Sequence, residues 1–217
     1  MARKYELKRR AERQEETRRR IVEAAVHLHG TVGPARTQIS AIAERAGVER
    51  VTVYRHFPDQ ASLLRACREH FLAQHPPPED SWKRVDDPEA RLRAGLAAAY
   101  SFYAENEAMM SNVLRDAEVL PVGGGFIGFK RNTVQALDRG WGLRGRRCTQ
   151  LTAILDLAAD FHTWRSLVCR MGLSQQELID LVVRWVRCVH RAVIMSLRCC
   201  DCRGLPGPLP GARSSPL

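Results

Sequence analysis

Aromatic residues are scarce in this chain of 217 residues, at 6%, and long apolar runs are missing. The longest stretches, such as Leu178 to Val183, are interrupted by charge well short of the ~20 apolar residues that a membrane helix needs. No basic amphipathic helix with exposed aromatics offers itself to a lipid surface, so no membrane partner is expected. The basic N-terminus is not followed by an apolar segment of the secretory kind, which makes a cytoplasmic protein the expectation. Catalytic signatures are lacking too. No nucleophile stands at a meaningful spacing from a base, and no metal-ligand motif occurs. The glycine-rich PVGGGFIG at 121 to 128 lacks the Lys-Ser/Thr pair and the preceding strand of a phosphate-cradling loop, and is read as a plain loop. The chain is therefore expected to be non-enzymatic, with no cofactor.

Seven cysteines in such a chain read as reduced thiols. Cys199, Cys200 and Cys202 open a tail, 199 to 217, that is rich in Gly, Pro and Ser and expected to be disordered. A structural zinc site wants four ligands in a frame. Three thiols on a loose tail fall one short unless a second copy supplies the rest, so no metal site is assigned.

What the sequence has in excess is positive charge: a formal net charge of +10 and a pI near 9.8, which favour a polyanionic partner. Half of that excess lies in residues 2 to 20, where Arg3, Lys4, Lys8, Arg9, Arg10, Arg13, Arg18, Arg19 and Arg20 meet only Glu6, Glu12, Glu15 and Glu16. Such runs are often mere solubilising tails. Because a helix-turn-helix follows, residues 1 to 16 are read as a basic flexible arm that follows DNA phosphates or enters the minor groove.

Helical periodicity begins at Thr17 and runs to about Thr31, with Ile21, Ala25, Leu28 and Val32 as its buried stripe. His27 and His29 fit no ligand pattern. After a Gly/Pro loop comes TQISAIAERAGVERVTVYRHF, residues 37 to 57. Ile39, Ile42, Ala43 and Ala46 give one apolar helical face, Thr37 is a candidate cap, and Gly47 suits a left-handed turn. A second short helix, about Glu49 to His56, has Val53 and Phe57 as inward anchors. Arg50, Val51, Thr52, Tyr54, Arg55 and His56 then point outward, a set suited to phosphates and base edges. Phe57-Pro58-Asp59 ends that helix, and Asp59 caps a fourth from Gln60 to about Ala73 with Ala61, Leu64, Cys67 and Phe71 inward.

The string AIAERAGVERVTVYRHFPDQASLL resembles the DNA-binding domain of the TetR family of bacterial transcriptional regulators. The marks are the IA..AGV turn, the T.Y.HF recognition helix and the F.[DN]...L entry into the next helix, in order over Arg18 to Leu72. The resemblance implies an all-α fold: an N-terminal three-helix helix-turn-helix domain, 17 to 74, and a C-terminal helical ligand-binding and dimerisation domain, 75 to 198. It implies that a tilt of helix four moves the recognition helix. For DNA contact, Arg50 and Val51 are expected at bases and Thr52, Tyr54 and His56 at phosphates, with Thr37 and Gln38 in support.

His75-Pro-Pro-Pro78 opens an extended connector to Asp87. Asp87-Pro88 then starts one or two helices over 88 to 120, with a stripe of Leu92, Leu96, Ala99, Tyr100 and Tyr103 and a break at Asn106 and Glu107. Residues 129 to 139 offer a further helix. The strongest helical pair is 147 to 171 and 174 to 198, the second started by a Ser174/Glu177 capping box and carrying Leu178, Leu181, Val182, Trp185, Val189 and Val193. The pair offers more apolar surface than one core needs. The resemblance assigns that surface to a homodimer. It also implies a small-molecule inducer among the middle helices, where Tyr100, Tyr103, Met109, Met110, Phe126, Phe129, His162 and Trp164 are candidates that could equally be core. The expected function is a sequence-specific regulator, a repressor released from a palindromic double-stranded DNA operator by a ligand. The alternative is a ligand-independent DNA-binding or chromosome-organising protein.

Overall fold

The computed structural model of the protein describes residues 2–120, 122 and 124–191, and every regular element among them is helical. The first, α1 (Ala2–Thr31), takes in the stretch expected to be a flexible arm. Residues 2 to 16 continue the helix because they are nearly all strong helix formers, with no glycine or proline before Gly30. Pairs one turn apart add support: Lys8 with Glu12 at 3.9 Å, and Arg19 with Glu16 at 2.8 Å and Glu23 at 2.7 Å. The packed half of α1 supplies the nucleus that an isolated helix of this length lacks.

A 3-10 turn, Pro34–Arg36, leads into α2 (Ile39–Ala46), α3 (Arg50–His56) and α4 (Gln60–Gln74). Their shared core is Ile21, Ala25, Ile42, Ala46, Val53, Phe57, Leu63 and Cys67. Val32, expected in the stripe, lies past the end of α1 and is 43% exposed. The inward face of α4 is Leu63, Ala66, Cys67 and Phe71, with Ala61 exposed and Leu64 half-buried. Both registers are apolar in sequence, and packing against α1 selects this one. Burial pushes the Cys67 thiol up to about 12, which leaves it an inert core group.

The connector is less extended than its prolines suggest. It contains a 3-10 turn, Asp80–Arg84, whose Trp82 inserts beside α5 (Pro88–Glu105). Gly95 makes room: a Cβ there would stand 2.8 Å from the indole and 2.7 Å from Leu137. Asp87 caps α5 by accepting from Ala90 N at 2.7 Å. Arg91 is buried and spends its guanidinium on main-chain carbonyls. It donates to Val85 at 2.6 Å, Asp86 at 3.1 Å and Ala136 at 3.1 Å, and also to Arg139. One side chain thus ties the connector to the end of α7 (Gly124–Leu137), whose last carbonyls favour a cation.

The C-terminal domain continues through α6 (Glu107–Asp116), α8 (Arg146–Ala158), α9 (Phe161–Trp164), a π-helical turn Arg165–Arg170 and α10 (Gln175–Arg191). Two sequence expectations change here. The glycine-rich loop gives way to α7 at Gly124, because helix brings Phe126 and Phe129 onto the core. The helix expected over 147 to 171 breaks after Ala158. Tyr100 and Tyr103 donate to the carbonyls of Ala158 and Ala159 at 2.9 and 2.6 Å, and Asp160 caps a new turn by accepting from Thr163 N at 3.0 Å. Those carbonyls are taken out of the helical ladder. On α10 the inward set is Leu178, Ile179, Val182, Val183 and Val186, so Leu181, Trp185 and Val189 of the expected stripe lie at its margin or outside. Val193 and Cys199, Cys200 and Cys202 lie outside the described residues.

The two domains meet where α6 grips the end of α1. Asn112 donates to the Gly30 carbonyl at 2.8 Å, Arg115 to that of Val32 at 3.0 Å, and Ala35 N to Asp116 at 2.9 Å. Arg115 Nε also donates to Asp116 at 2.8 Å. Gly33, at φ 98°, lies so close to Arg115 and Asp116 that no side chain fits. Beneath this latch His29 is buried, and desolvation pushes its imidazole down to about 4 against the pull of Asp116.

Two outcomes are expected. Arg91→Ala strands buried carbonyls, so it lowers stability by ~3 kcal/mol in chemical denaturation, and Arg91→Lys recovers only part. For His29, the folded value of about 4 lies below the ordinary 6.5, so the folded state binds fewer protons between them. Stability is full above that window and falls by ~3 kcal/mol as pH drops through it. His29→Gln should flatten that part of the stability-versus-pH curve; an unchanged curve would assign the loss to other groups.

Candidate nucleic-acid interface

The turn between α2 and α3 determines what α3 presents. Gly47 sits at φ 63°, ψ 42°, the left-handed region that glycine occupies without steric cost, and its N–H caps α2 on the carbonyls of Ala43 and Glu44. Val48 then packs back against the core. The seven residues of α3 have no capping side chain at their start and depend on Val53 and Phe57, exposed 1% and 4%. With those two fixed inward, helical geometry fixes the rest. Arg50, Val51, Tyr54 and Arg55 are exposed, and Thr52 and His56 half-buried. Val51 at 65% and Tyr54 at 48% are large apolar surfaces left in solvent on a two-turn helix, an arrangement better suited to a partner than to water.

Arg50, Val51, Thr52, Tyr54 and His56 share the short α3, whereas Thr37 and Gln38 precede α2 beside Leu28, Val32 and Arg115, and one role changes. Thr37 does not cap α2. Its hydroxyl donates to the Gly33 carbonyl at 2.7 Å, and the cap position falls to Gln38, whose side chain makes no capping bond. Gln38 remains exposed at the start of α2, where free backbone N–H groups favour an anion. The Thr52 hydroxyl accepts from Arg55 at 3.3 Å, which orients that guanidinium. Burial, with Arg55 and Arg18 nearby, holds the His56 imidazole below its usual range, against the opposing pull of Glu15.

Arg18 and Arg20 join the α3 surface, although neither is among the expected contacts, and so does Arg55 of the expected outward set. The Arg18 guanidinium lies 5.1 Å from the centre of the Phe57 ring. The Arg20 guanidinium reaches to within 3.8 Å of the position a Cβ on Gly47 would take. A signal for Arg18 exists in the sequence: it precedes Ile21 and Val22 by three and four residues, which puts it on the core-facing side of α1.

The eight candidate ligand residues do not form one cluster. Tyr100, Tyr103, Met110 and Trp164 are fully buried, with Phe129 packed edge-on to Tyr103 at 6.2 Å. Burial raises both tyrosines well above their ordinary range. Phe126 lies between Phe71 of α4 and Phe102 of α5, at 6.2 and 6.4 Å. Met109 turns toward Gly30 of α1, and His162 is exposed. Among the described residues no helix is long and apolar enough to cross a membrane.

Residues 21–67 match the family described as bacterial regulatory proteins, tetR family. The HTH-type transcriptional regulator TtgR of Pseudomonas putida is 39% identical over 69 residues, 32% of this chain and 33% of that protein. The match thus spans about a third of that relative's length. Among solved structures, a linker-substituted mutant of HlyIIR superposes with a TM-score of 0.53 at 18% identity, covering 79% of this chain and 96% of that one. A tetR-family transcriptional regulator from Streptomyces coelicolor superposes at 0.50 with 19% identity, over 81% of this chain and 79% of that one. These two likenesses concern the fold.

Arg50→Ala is expected to cost ~1–3 kcal/mol at one base position and to relax preference there. His56→Ala should weaken all duplexes alike. A phosphate near His56 would raise its depressed pKa, so binding would take up a proton and tighten as pH falls from neutral. Affinity titrations over pH should show that trend in the wild type and lose it in His56→Ala; preserved preference in Arg50→Ala would remove Arg50 from base recognition.

Proposed function

From the premise that residues 21–67 are a DNA-binding helix-turn-helix of the tetR family, we propose that this protein is a dimeric regulator binding a palindromic operator. The observation that carries the reading is the outward set of α3, held by Val53 and Phe57 and ringed by arginines. The α3 of one protomer reads a half-site, with Arg50 and Val51 toward base edges and Thr52, Tyr54 and His56 toward phosphates. Dimerisation is supported by apolar surface that the fold leaves outside its core: Leu157 of α8 at 55% exposure and Trp185 of α10 at 42%, with Leu181 and Val189 half-buried beside it. Two copies pairing these helices would set two recognition helices one or more DNA turns apart.

Release by a small molecule is the mode of control we favour, with repression as its sign. Two buried polar atoms support a ligand among the middle helices: Trp164 Nε1, a donor, and Asn106 Oδ1, an acceptor, have no hydrogen-bond partner among the described residues. They belong to adjoining segments, since Arg165 pairs with Glu107 at 2.5 Å. Movement there has two routes to α3. One is α6, which ends in the latch on α1. The other is the Phe126–Phe71 contact into α4. A useful response needs a coupling of only ~1–3 kcal/mol between ligand and DNA. The ring-to-ring packing of Tyr103, Phe161 and Trp164, at 5.7 Å, favours the second reading, a ligand-independent DNA-binding protein.

Selection of bound fragments from the source genome, followed by footprinting, tests the first reading. A short palindrome protected on two half-sites is the expected result, and the adjacent genes would indicate the inducer. Broad, salt-labile binding without a motif would replace the specific regulator with the organising role.

A further inference from the structure

We propose that the N-terminal half of α1, residues 2 to 16, is a rigid second DNA-contacting element that sets arginines on backbone phosphates flanking the groove entered by α3. The inference rests on the reading that α3 enters a groove, and it extends contact beyond the matched segment 21–67. The direction of α1 is the first argument. Its C-terminal end is held by α6 through Gly30 and Val32, in the C-terminal domain's grip. Residues 15 to 20 lie at the recognition unit, with Arg18 on Phe57, Glu15 among the charges acting on His56, and Arg20 beside Gly47. The helix then continues past α3, away from the C-terminal domain. Fifteen residues at ~1.5 Å each give about 22 Å, the axial rise of roughly six base pairs.

Charge is the second argument. From Lys8 to Glu16 every residue is exposed, so this half of the helix adds nothing to either core. Two of its four acids are paired, Glu12 by Lys8 and Glu16 by Arg19 of the next turn. Arg10 and Arg13 have no ion-pair partner among the described residues, and Arg9 rests only on the Tyr5 ring at 5.8 Å. Helical spacing gathers Arg9, Arg10 and Arg13 into one sector and continues it through Thr17 to Arg20, which already touches the helix-turn-helix. A stripe of uncompensated guanidinium groups, continuous with the recognition surface and carried on a rod, matches the spaced charges of a DNA strand. A flexible arm would lose more entropy on binding than this preformed helix does.

The full-length R9Q/R10Q/R13Q variant keeps good helix formers, and circular dichroism checks that it does. Its affinity for the operator and for an unrelated duplex is measured against salt concentration. The slope of log K against log salt should fall by roughly 2 to 3, with affinity down at least ~10-fold on both duplexes and operator preference unchanged. Footprints should shorten at their outer edges. An unchanged slope with intact affinity would overturn the proposal, and so would lost preference at an intact slope, which would make the segment a base reader. The slope on the unrelated duplex remains readable if no operator exists, so failure of the specific-regulator reading is separable. Deletion of residues 2 to 14 should reproduce the triple variant.

Discussion

A helix of seven residues has almost no stability of its own, and the candidate DNA-contacting surface is built on one. Everything around α3 compensates for that. Gly47 lets the chain turn without strain, Val53 and Phe57 bolt the helix to α1 and α4, and Asp59 ends it cleanly by capping α4 on Ser62 N at 2.7 Å. One inward residue in the seven, Val53, with Phe57 just past the helix, leaves the remainder free of packing duty. That freedom is what allows an arginine, a valine, a tyrosine and a histidine to stand side by side in solvent.

The same constraint shapes how α3 is held. Because α3 is rigid only through its neighbours, any shift of α1 or α4 carries it. The C-terminal domain holds both. Its grip on the end of α1 and the turn after it is polar and directional, with three side chains of α6 on the main-chain groups of Gly30, Val32 and Ala35 and Gly33 leaving no slack. Its grip on α4 is aromatic, through Phe71 and Phe126, and tolerates sliding. Hydrogen bonds to main chain fix a position, whereas ring contacts fix only a distance. On these grounds α1 is the stiffer link, a change of emphasis from helix four.

The helix-turn-helix was legible because its determinants are local: a glycine at the turn, apolar period, and capping residues within a few positions. The caps expected at Asp59, Asp87 and Ser174 form for the same reason, the last as a box with Ser174 N on Glu177 at 2.8 Å. The fold class was legible too. What escaped depended on distant partners. The break after Ala158 is imposed by tyrosines more than fifty residues away, and the inward faces of α4 and α10 were chosen by neighbours among several apolar registers. Arg91 looks like any surface arginine in sequence. Only the fold shows that it ties carbonyls from three segments together. The helical state of residues 2 to 16 was readable from composition alone, but charge density drew attention to their partner rather than their shape.

Charge is partitioned by the same logic. At the rim of the C-terminal core several cations are neutralised in place: Arg93 by Asp180 at 2.6 Å, Arg187 by Glu89 at 2.6 Å, Lys130 by Asp156 at 2.8 Å and Arg165 by Glu107, while the buried Arg91 is held by main-chain carbonyls. Holding a long side chain against a packed surface desolvates it in part, and a carboxylate offsets that cost. On α3 and the first half of α1, Arg50, Arg55, Arg10 and Arg13 carry no such partner among the described residues. Nothing buries them, so nothing obliges the fold to pair them, and their field extends into solvent. The positive end of the molecule is thus the end where packing is thinnest, which is where an incoming polyanion can replace water without first breaking an ion pair.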